Sequence, residues 1–163
     1  MAIALRPAVL IADEPSTALD VITQQALLRL LRQLVAEENI GLILISHDLG
    51  VIAGIADRVI VMYGGQIVEQ APVRELFGNP QHPYTRALLR TIPSVRGERA
   101  ARLEVIEGQP PILGAPPAAC PFRFRCPERL ARCDRENPVR VPVGTGHDAA
   151  CFWDPATGGE RNA

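Results

Sequence analysis

The run Val9-Leu10-Ile11-Ala12-Asp13-Glu14-Pro15-Ser16-Thr17-Ala18-Leu19-Asp20 decides how this chain is read. Four consecutive apolar residues are the pattern of a short strand covered on both faces in a parallel sheet. Two carboxylates, Asp13 and Glu14, stand where that strand ends. Asp20 follows at the place of a helix N-cap.

Working outward, residues 21–37 carry Leu27, Leu30, Leu31, Leu34 and Val35 at three-to-four spacing, with Arg29, Arg32 and Gln33 between them. That spacing predicts an amphipathic helix, closed by Asn39-Ile40-Gly41. Residues 42–45 repeat the buried-strand pattern and lead into Ser46-His47-Asp48. A second helix from Leu49 to about Ala56 is expected, with Asp48 as its cap. Residues 58–62 read as a third strand, which Tyr63-Gly64-Gly65-Gln66 turns into Ile67-Val68-Glu69 as a hairpin. Strand, helix, strand, helix, strand predicts an α/β fold, a parallel sheet with flanking helices and right-handed crossovers. Ligands in such sheets sit beyond the carboxyl ends of the strands. Asp13, Glu14 and His47 all fall at those ends.

The chemistry of that edge follows from the residue types. Mg2+ is a hard ion that prefers oxygen, which suits Asp13 as its ligand. Glu14 can accept a proton from an attacking water, and His47 can donate to a terminal phosphate, where charge develops in phosphoryl transfer. Taken singly, the two acids fit an exposed loop or a cap equally well, and Ser46-His47-Asp48 fits a cap.

Composition narrows the classes. The 163 residues are 47% hydrophobic, with four Phe and one Trp, which argues for a folded chain. A net charge of -1 supplies no global basic field for nucleic acid. No apolar run approaches the roughly 20 residues of a membrane helix. All 17 basic residues are Arg. A phosphate loop of the G-x-x-x-x-G-K-[ST] type needs a Lys, so these residues do not contain one.

The run 10–20, followed one helix and one strand later by Ile45-Ser46-His47-Asp48, resembles the ATPase subunits of ATP-binding cassette (ABC) transporters. The resemblance implies part of a P-loop NTPase fold, with ATP and Mg2+ as its nucleotide and metal. Asp13 then corresponds to the Walker B carboxylate on magnesium, Glu14 to the catalytic base and His47 to the switch histidine at the γ-phosphate. Ala18-Leu19-Asp20 matches the D-loop, and Asp20 would communicate between the nucleotide site and an opposite, homologous subunit in a head-to-tail pair. The serine-glycine signature and the Gln loop of the family have no counterpart here, and residues 1–7 look like the end of the helix after the signature. The resemblance therefore implies a truncated subunit that neither binds ATP tightly nor hydrolyses it alone. The other reading is a non-catalytic metal-cluster-binding or docking module left from such a subunit.

Pro72-Val73-Arg74-Glu75-Leu76-Phe77 reads as a short helix with Pro in its first position, and residues 86–91 as another. Between them, Asn79-Pro80-Gln81-His82-Pro83-Tyr84-Thr85 is by itself a turn with a packed aromatic. Beside the earlier motifs it resembles the carboxyl-terminal extension of the dipeptide and oligopeptide permease branch. That implies short peptides as cargo, with nickel or other small solutes as alternatives, transmembrane permease subunits as partners and, indirectly, a periplasmic or extracellular peptide-binding protein. It places the chain in the cytoplasm, peripheral on the inner face of the cell membrane, with no nucleic-acid partner. The expected division is residues 1–78 as nucleotide-binding domain and 79–163 as extension. Residues 93–117 read as irregular, or as a short hairpin around residues 102–106.

The four Cys, at 120, 126, 133 and 151, are separated by five, six and seventeen residues. A cytosolic chain has little use for structural disulfides, and a small core-poor segment needs a staple. Short paired zinc spacing is absent, and longer irregular loops suit an iron-sulfur cluster better; zinc stays open. The spacing resembles that of permease ATPases carrying a 4Fe-4S cluster, which would assign Cys120, Cys126, Cys133 and Cys151 as its ligands. Arg123, Arg125, Arg129, Arg132 and Arg135 would offset its charge, or simply face solvent.

Overall fold

Strands β1 (Val9–Asp13) and β2 (Gly41–Ile45) pair in parallel, in register from Val9 opposite Gly41 to Asp13 opposite Ile45. Their carboxyl ends therefore lie side by side. The structure, a computed structural model, describes residues 7–92, 105–111, 114 and 117–161. It divides into two units, residues 1–56 and 57–163.

In the first unit, α1 (Val21–Glu38) joins the two strands. Asp20 caps it, its Oδ1 accepting the N–H groups of Ile22 and Thr23 at 3.0 Å each. Asn39 ends it in the left-handed region, at φ 49°. Asp48 caps α2 (Leu49–Ile55) in the same way, accepting from Gly50 and Val51. Leu31, Ile40, Val51 and Ile52 are buried. Cover on both faces of the strands, expected from their unbroken apolar runs, is not found: Ile11 is 63% exposed and Ile43 52%. Burial alternates along both strands, so each is half-buried on one face only.

The third expected strand leaves the parallel sheet altogether. β3 (Arg58–Tyr63) pairs antiparallel with β4 (Gln66–Pro72). The physical reason is the turn between them: Gly64 and Gly65 have φ of 57° and 75°, a two-residue reversal that returns the chain before any crossover can form. β5 (Val141–Gly144) and β6 (His147–Ala149) complete a four-stranded sheet in the order β3-β4-β6-β5. The expected α/β character holds as a mixed fold. Among the described residues the parallel sheet is β1 and β2 alone, and the largest sheet is antiparallel.

The helices after the hairpin shift as well. α3 (Val73–Gly78) starts one residue after Pro72, which ends β4 instead of opening the helix. α4 (Pro83–Arg90) starts three residues before Arg86, because Pro83 takes its first position and His82 Nδ1 accepts the Tyr84 N–H at 3.0 Å. A short hairpin, β7 (Trp153–Asp154) with β8 (Gly159–Glu160), closes the described chain. Residues 102–104 of the hairpin expected at 102–106 lie outside the described residues. No helix among the described residues is long and apolar enough to cross a membrane.

The second unit is pinned by a buried carboxylate. Glu69 on β4 is wholly buried. Its Oε1 accepts the Gln81 N–H at 2.7 Å and lies 2.7 Å from His147 Nε2, while Oε2 accepts the His82 N–H at 3.0 Å. Burial also pushes the His82 imidazole down to a pKa of about 3, which keeps it neutral and leaves Nδ1 free to cap α4. Val59, Val61, Val68, Leu76, Phe122 and Trp153 fill the surrounding core. Replacing Glu69 by Ala would strand two buried backbone N–H groups, each costing about 1–3 kcal/mol. Urea unfolding of Glu69→Ala should therefore lose about 2–6 kcal/mol, and Glu69→Gln, which keeps one acceptor oxygen, less. Wild-type stability in Glu69→Ala would show that the carboxylate does not hold these segments together.

Candidate functional site

Glu14 and His47, 33 residues apart, are brought together at the adjoining ends of β1 and β2. The Glu14 N–H donates to the Ile45 carbonyl at 2.9 Å, extending the parallel ladder by one bond. Beyond it the chain turns sharply: Glu14 itself has φ 45°, in the left-handed region that residues with a Cβ avoid. Such backbone persists where surrounding bonds over-determine it, and it gathers at functional sites. Here the bonds are explicit. Glu14 Oε1 accepts from the His47 N–H at 3.1 Å and lies 2.8 Å from His47 Nδ1. Oε2 accepts the Thr17 hydroxyl at 3.0 Å, and the Thr17 N–H returns to the Glu14 carbonyl at 3.1 Å.

The hydrogen bond from His47 holds the Glu14 carboxyl below its ordinary range, and the same bond raises the His47 imidazole above its usual value. The pair is open to solvent, with 80% of the His47 side chain exposed. Nδ1 is taken by Glu14, and Nε2 has no partner among the described residues. A protonated ring would therefore present an N–H outward from the site, in the manner needed for a phosphate oxygen.

Asp13 lies beside this pair, exposed at the end of β1, and no side-chain bond ties it to another described residue. Asp20 is placed differently: besides its two backbone bonds, Oδ2 accepts the Thr23 hydroxyl at 2.7 Å. The Thr23 N–H, foremost among these bonds, lowers its carboxyl. Both oxygens of Asp20 thus serve α1. Asp48 accepts from Gln24 at 3.2 Å, so α1 also touches the segment that carries His47.

Thr17 and Gln24 were not singled out from sequence. Thr17 lies inside the decisive run, yet only the tight turn after Glu14 returns its hydroxyl to the carboxylate. A Ser or Thr three residues after the acid is the signal that could have found it.

The four cysteines lie in the second unit and gather there. None is in a disulfide. The Cys120 N–H donates to the Cys133 carbonyl at 3.0 Å. Cys120 and Cys133 are buried, while Cys126 and Cys151 are half-buried. Burial pushes the Cys126 and Cys151 thiols up to about 12, and each also feels the other cysteines' charge: Cys151 that of Cys126, Cys120 and Cys133, and Cys126 that of Cys120 and Cys133. Burial raises Cys120 too, with Cys133 adding to it. All six pairs are thus within electrostatic reach. Among the described residues no three His, Cys, Asp or Glu side chains converge closely enough to hold a single metal ion.

Comparison with known proteins bears on both units. Residues 68–133 match the family described as oligopeptide/dipeptide transporter, C-terminal region. Over 152 residues the chain is 48% identical to a probable peptide ABC transporter ATP-binding protein, y4tR, of Sinorhizobium fredii. It is 44% identical to the dipeptide transport ATP-binding protein DppD of Bacillus subtilis and 45% to the oligopeptide transport ATP-binding protein OppD of Salmonella typhimurium. Each match takes in 93% of this chain and 45% of the relative. The chain spans about half the length of the curated relatives it matches. By sequence it is similar to the carboxyl-terminal half of the ATP-binding subunits of oligopeptide- and dipeptide-type ABC transporters.

Proposed function

We propose that this chain supplies the carboxylate-and-histidine half of an ATP-hydrolysing site in a transporter that imports di- or oligopeptides. The observation that carries the reading is Glu14 in left-handed backbone, bonded through one oxygen to His47 and through the other to Thr17. Residues 1–78 are assigned to the nucleotide-binding domain and 79–163 to the permease-type extension. The partners are a second, homologous ATPase subunit head to tail, transmembrane permease subunits and, indirectly, a peptide-binding protein. The location is the inner face of the cell membrane.

Asp13 would hold Mg2+, which when bound neutralises charge on phosphate oxygens. In the structure both Glu14 oxygens are engaged, which makes the carboxylate a poor base at rest. Drawing His47 toward a phosphate would release Oε1 to orient and deprotonate an attacking water. Asp20, as the cap of α1, fixes where the loop 14–20 meets its helix and would bring that loop to the opposite subunit.

Without a phosphate loop among its residues, the purified 163-residue chain should release no phosphate from Mg-ATP. Joined in frame to the phosphate-loop half of a relative's subunit it should hydrolyse ATP, and Glu14→Gln should then cost at least about 100-fold in kcat. Hydrolysis undiminished by Glu14→Gln would remove the base from the proposal.

The pair also predicts a pH window. Glu14's depressed value makes its contribution present above the ordinary 4.5 and lost as pH falls through the folded value. His47's raised value makes its contribution complete below the ordinary 6.5 and lost as pH rises through the folded value. The ion pair is therefore strongest between 4.5 and 6.5. NMR titration of the His47 ring should give a pKa above 6.5 that drops toward it in Glu14→Gln. A ring that titrates identically in both proteins is incompatible with the pairing.

The gathering of the cysteines favours a second activity, the binding of a metal group. Four cysteines at irregular spacing in one small unit, each of three raised in part by others of the set, suit a 4Fe-4S cluster better than zinc. When bound, such a group supplies positive charge that offsets four ionised thiolates. Cys120, Cys126, Cys133 and Cys151 would hold it. Anaerobic reconstitution with iron and sulfide should give a brown protein with equal iron and sulfide, and Cys→Ser at any of the four should bleach it. One colourless equivalent of zinc would establish the alternative metal, and retention of neither would leave four free thiols.

A further inference from the structure

A groove of about 620 Å3 in the second unit is lined by none of the cysteines and none of the residues around Glu14. Its volume falls within the roughly 300–1,000 Å3 of pockets that take small ligands. One wall is residues 141–143 of β5. Successive side chains of a strand point to opposite faces, so a groove that reaches three in a row runs along the strand's edge. β5 ends the order β3-β4-β6-β5, and among the described residues that edge has no partner strand. An extended peptide can add to such an edge. Val141 and Val143 are half-buried there, while Pro142 is exposed and withholds one N–H, which keeps the edge from templating long strands.

The other wall is the β7–β8 hairpin, through Asp154, Thr157, Glu160 and Arg161. Asp154 stands opposite Gly159 and Trp153 opposite Glu160, and the Arg161 N–H donates to the Phe152 carbonyl, one register further on. Asp154 and Arg161 are thus two registers apart, about 7 Å along the strands, and share one face by the pleat. Asp154 Oδ1 accepts the Ala156 N–H at 2.9 Å, and its Oδ2 has no partner among the described residues. Arg161 faces no acid in an ion pair among the described residues. Only its Nη2 is bonded, at 3.2 Å to the Trp153 carbonyl and 3.4 Å to Gln81 Oε1, and its buried Nε has no acceptor. An unanswered buried donor is costly, so the guanidinium is loosely held and a carboxylate in the groove would draw it.

We propose that this groove binds a free peptide of two or three residues, lying between β5 and the β7–β8 hairpin with its ammonium at Asp154 and its carboxylate at Arg161. Extended chain advances about 3.3–3.6 Å per residue, so two residues match the separation of Asp154 and Arg161 along the hairpin. The ammonium and carboxylate of a free amino acid share one carbon and cannot reach both. Val141 and Val143 offer apolar surface to the peptide's side chains. Thr157 Oγ1 accepts the Gly159 N–H at 3.3 Å, which leaves its hydroxyl proton for a peptide carbonyl. The inference stands on the second unit alone and does not depend on ATP hydrolysis at Glu14.

Titration calorimetry of the 163-residue chain with the dipeptide Val-Leu tests the site, beside its N-acetyl form, its C-terminal amide and free valine. The free dipeptide should bind, and each cap should weaken it at least about tenfold. Asp154→Asn should bind the free and N-acetylated forms alike while still preferring a free carboxylate, and Arg161→Gln should show the reverse. Unchanged far-UV circular dichroism shows that a variant is folded; Asp154→Asn, which keeps an oxygen for the Ala156 N–H, carries the test if Arg161→Gln does not fold. No binding of the free dipeptide up to millimolar concentration would overturn the proposal. Equal binding of free and capped forms would also overturn it, since that is what an edge open to any extended chain gives. Valine bound as tightly as the dipeptide would do the same.

Discussion

A carboxylate removed from water must have its oxygens answered, and in the second unit nearly everything else is arranged around that demand. Glu69 is answered from three directions, by the backbone of Gln81, the backbone of His82 and the ring of His147. These groups lie on the connection before α4 and on β6, so the hairpin, the helix and the far strand cannot separate without orphaning buried polar groups. The consequences spread outward. His82, held by its backbone, turns Nδ1 onto α4 and its ring toward Phe122. The neighbouring Val68 carbonyl accepts the Ala150 N–H, which sets the residue immediately before Cys151. The cysteine region thus inherits its geometry from β4.

The first unit obeys a different constraint. Among its described residues no charged side chain is buried, and its strands keep one face open. What it specifies tightly is the point where the parallel ladder ends. The register opposes Asp13 to Ile45, so the next residue of one strand faces the connection that carries His47. Left-handed backbone at Glu14 costs roughly 1–2 kcal/mol for a residue with a Cβ. Ladder, histidine and threonine bonds hold it there, and the carboxylate is presented at the edge instead of following the strand line. Strain and site coincide because the same bonds account for both.

Local chemistry was legible and long-range pairing was not. The α1 periodicity, the Asp20 and Asp48 caps and the Gly64-Gly65 reversal all depend on residues within a few positions of one another, and each was readable without the fold. The meeting of Glu14 with His47 was also readable, because a parallel pair brings two strand ends to one edge. The antiparallel sheet was not, since β4 meets β6 only through residues some 80 positions on, Glu69 opposite Ala149. Nothing in the sequence near Glu69 announces a buried acid. An apolar run could not reveal that β1 and β2 keep one face open, because hydrophobicity records what tends to be covered and not what covers it. The start of α4 was misplaced for a smaller reason: His82 is an uncommon cap, and its role needs the Nδ1 acceptor that burial preserves.

The cysteines show how fold adds to spacing. Intervals of five, six and seventeen residues left zinc and iron both open, because irregular loops constrain neither. The structure brings the thiols within each other's field, and gives several of the arginines read as offsetting charge or facing solvent partners of their own. Arg129 is paired with Asp134, Arg132 with Glu136 and Glu160, and Arg125 is spent on Tyr63 and two carbonyls. Arg123 eases Cys120, but burial and Cys133 still leave that thiol raised. Burial likewise raises Cys126 and Cys151. These three thiols stay protonated unless a group carrying positive charge of its own binds beside them.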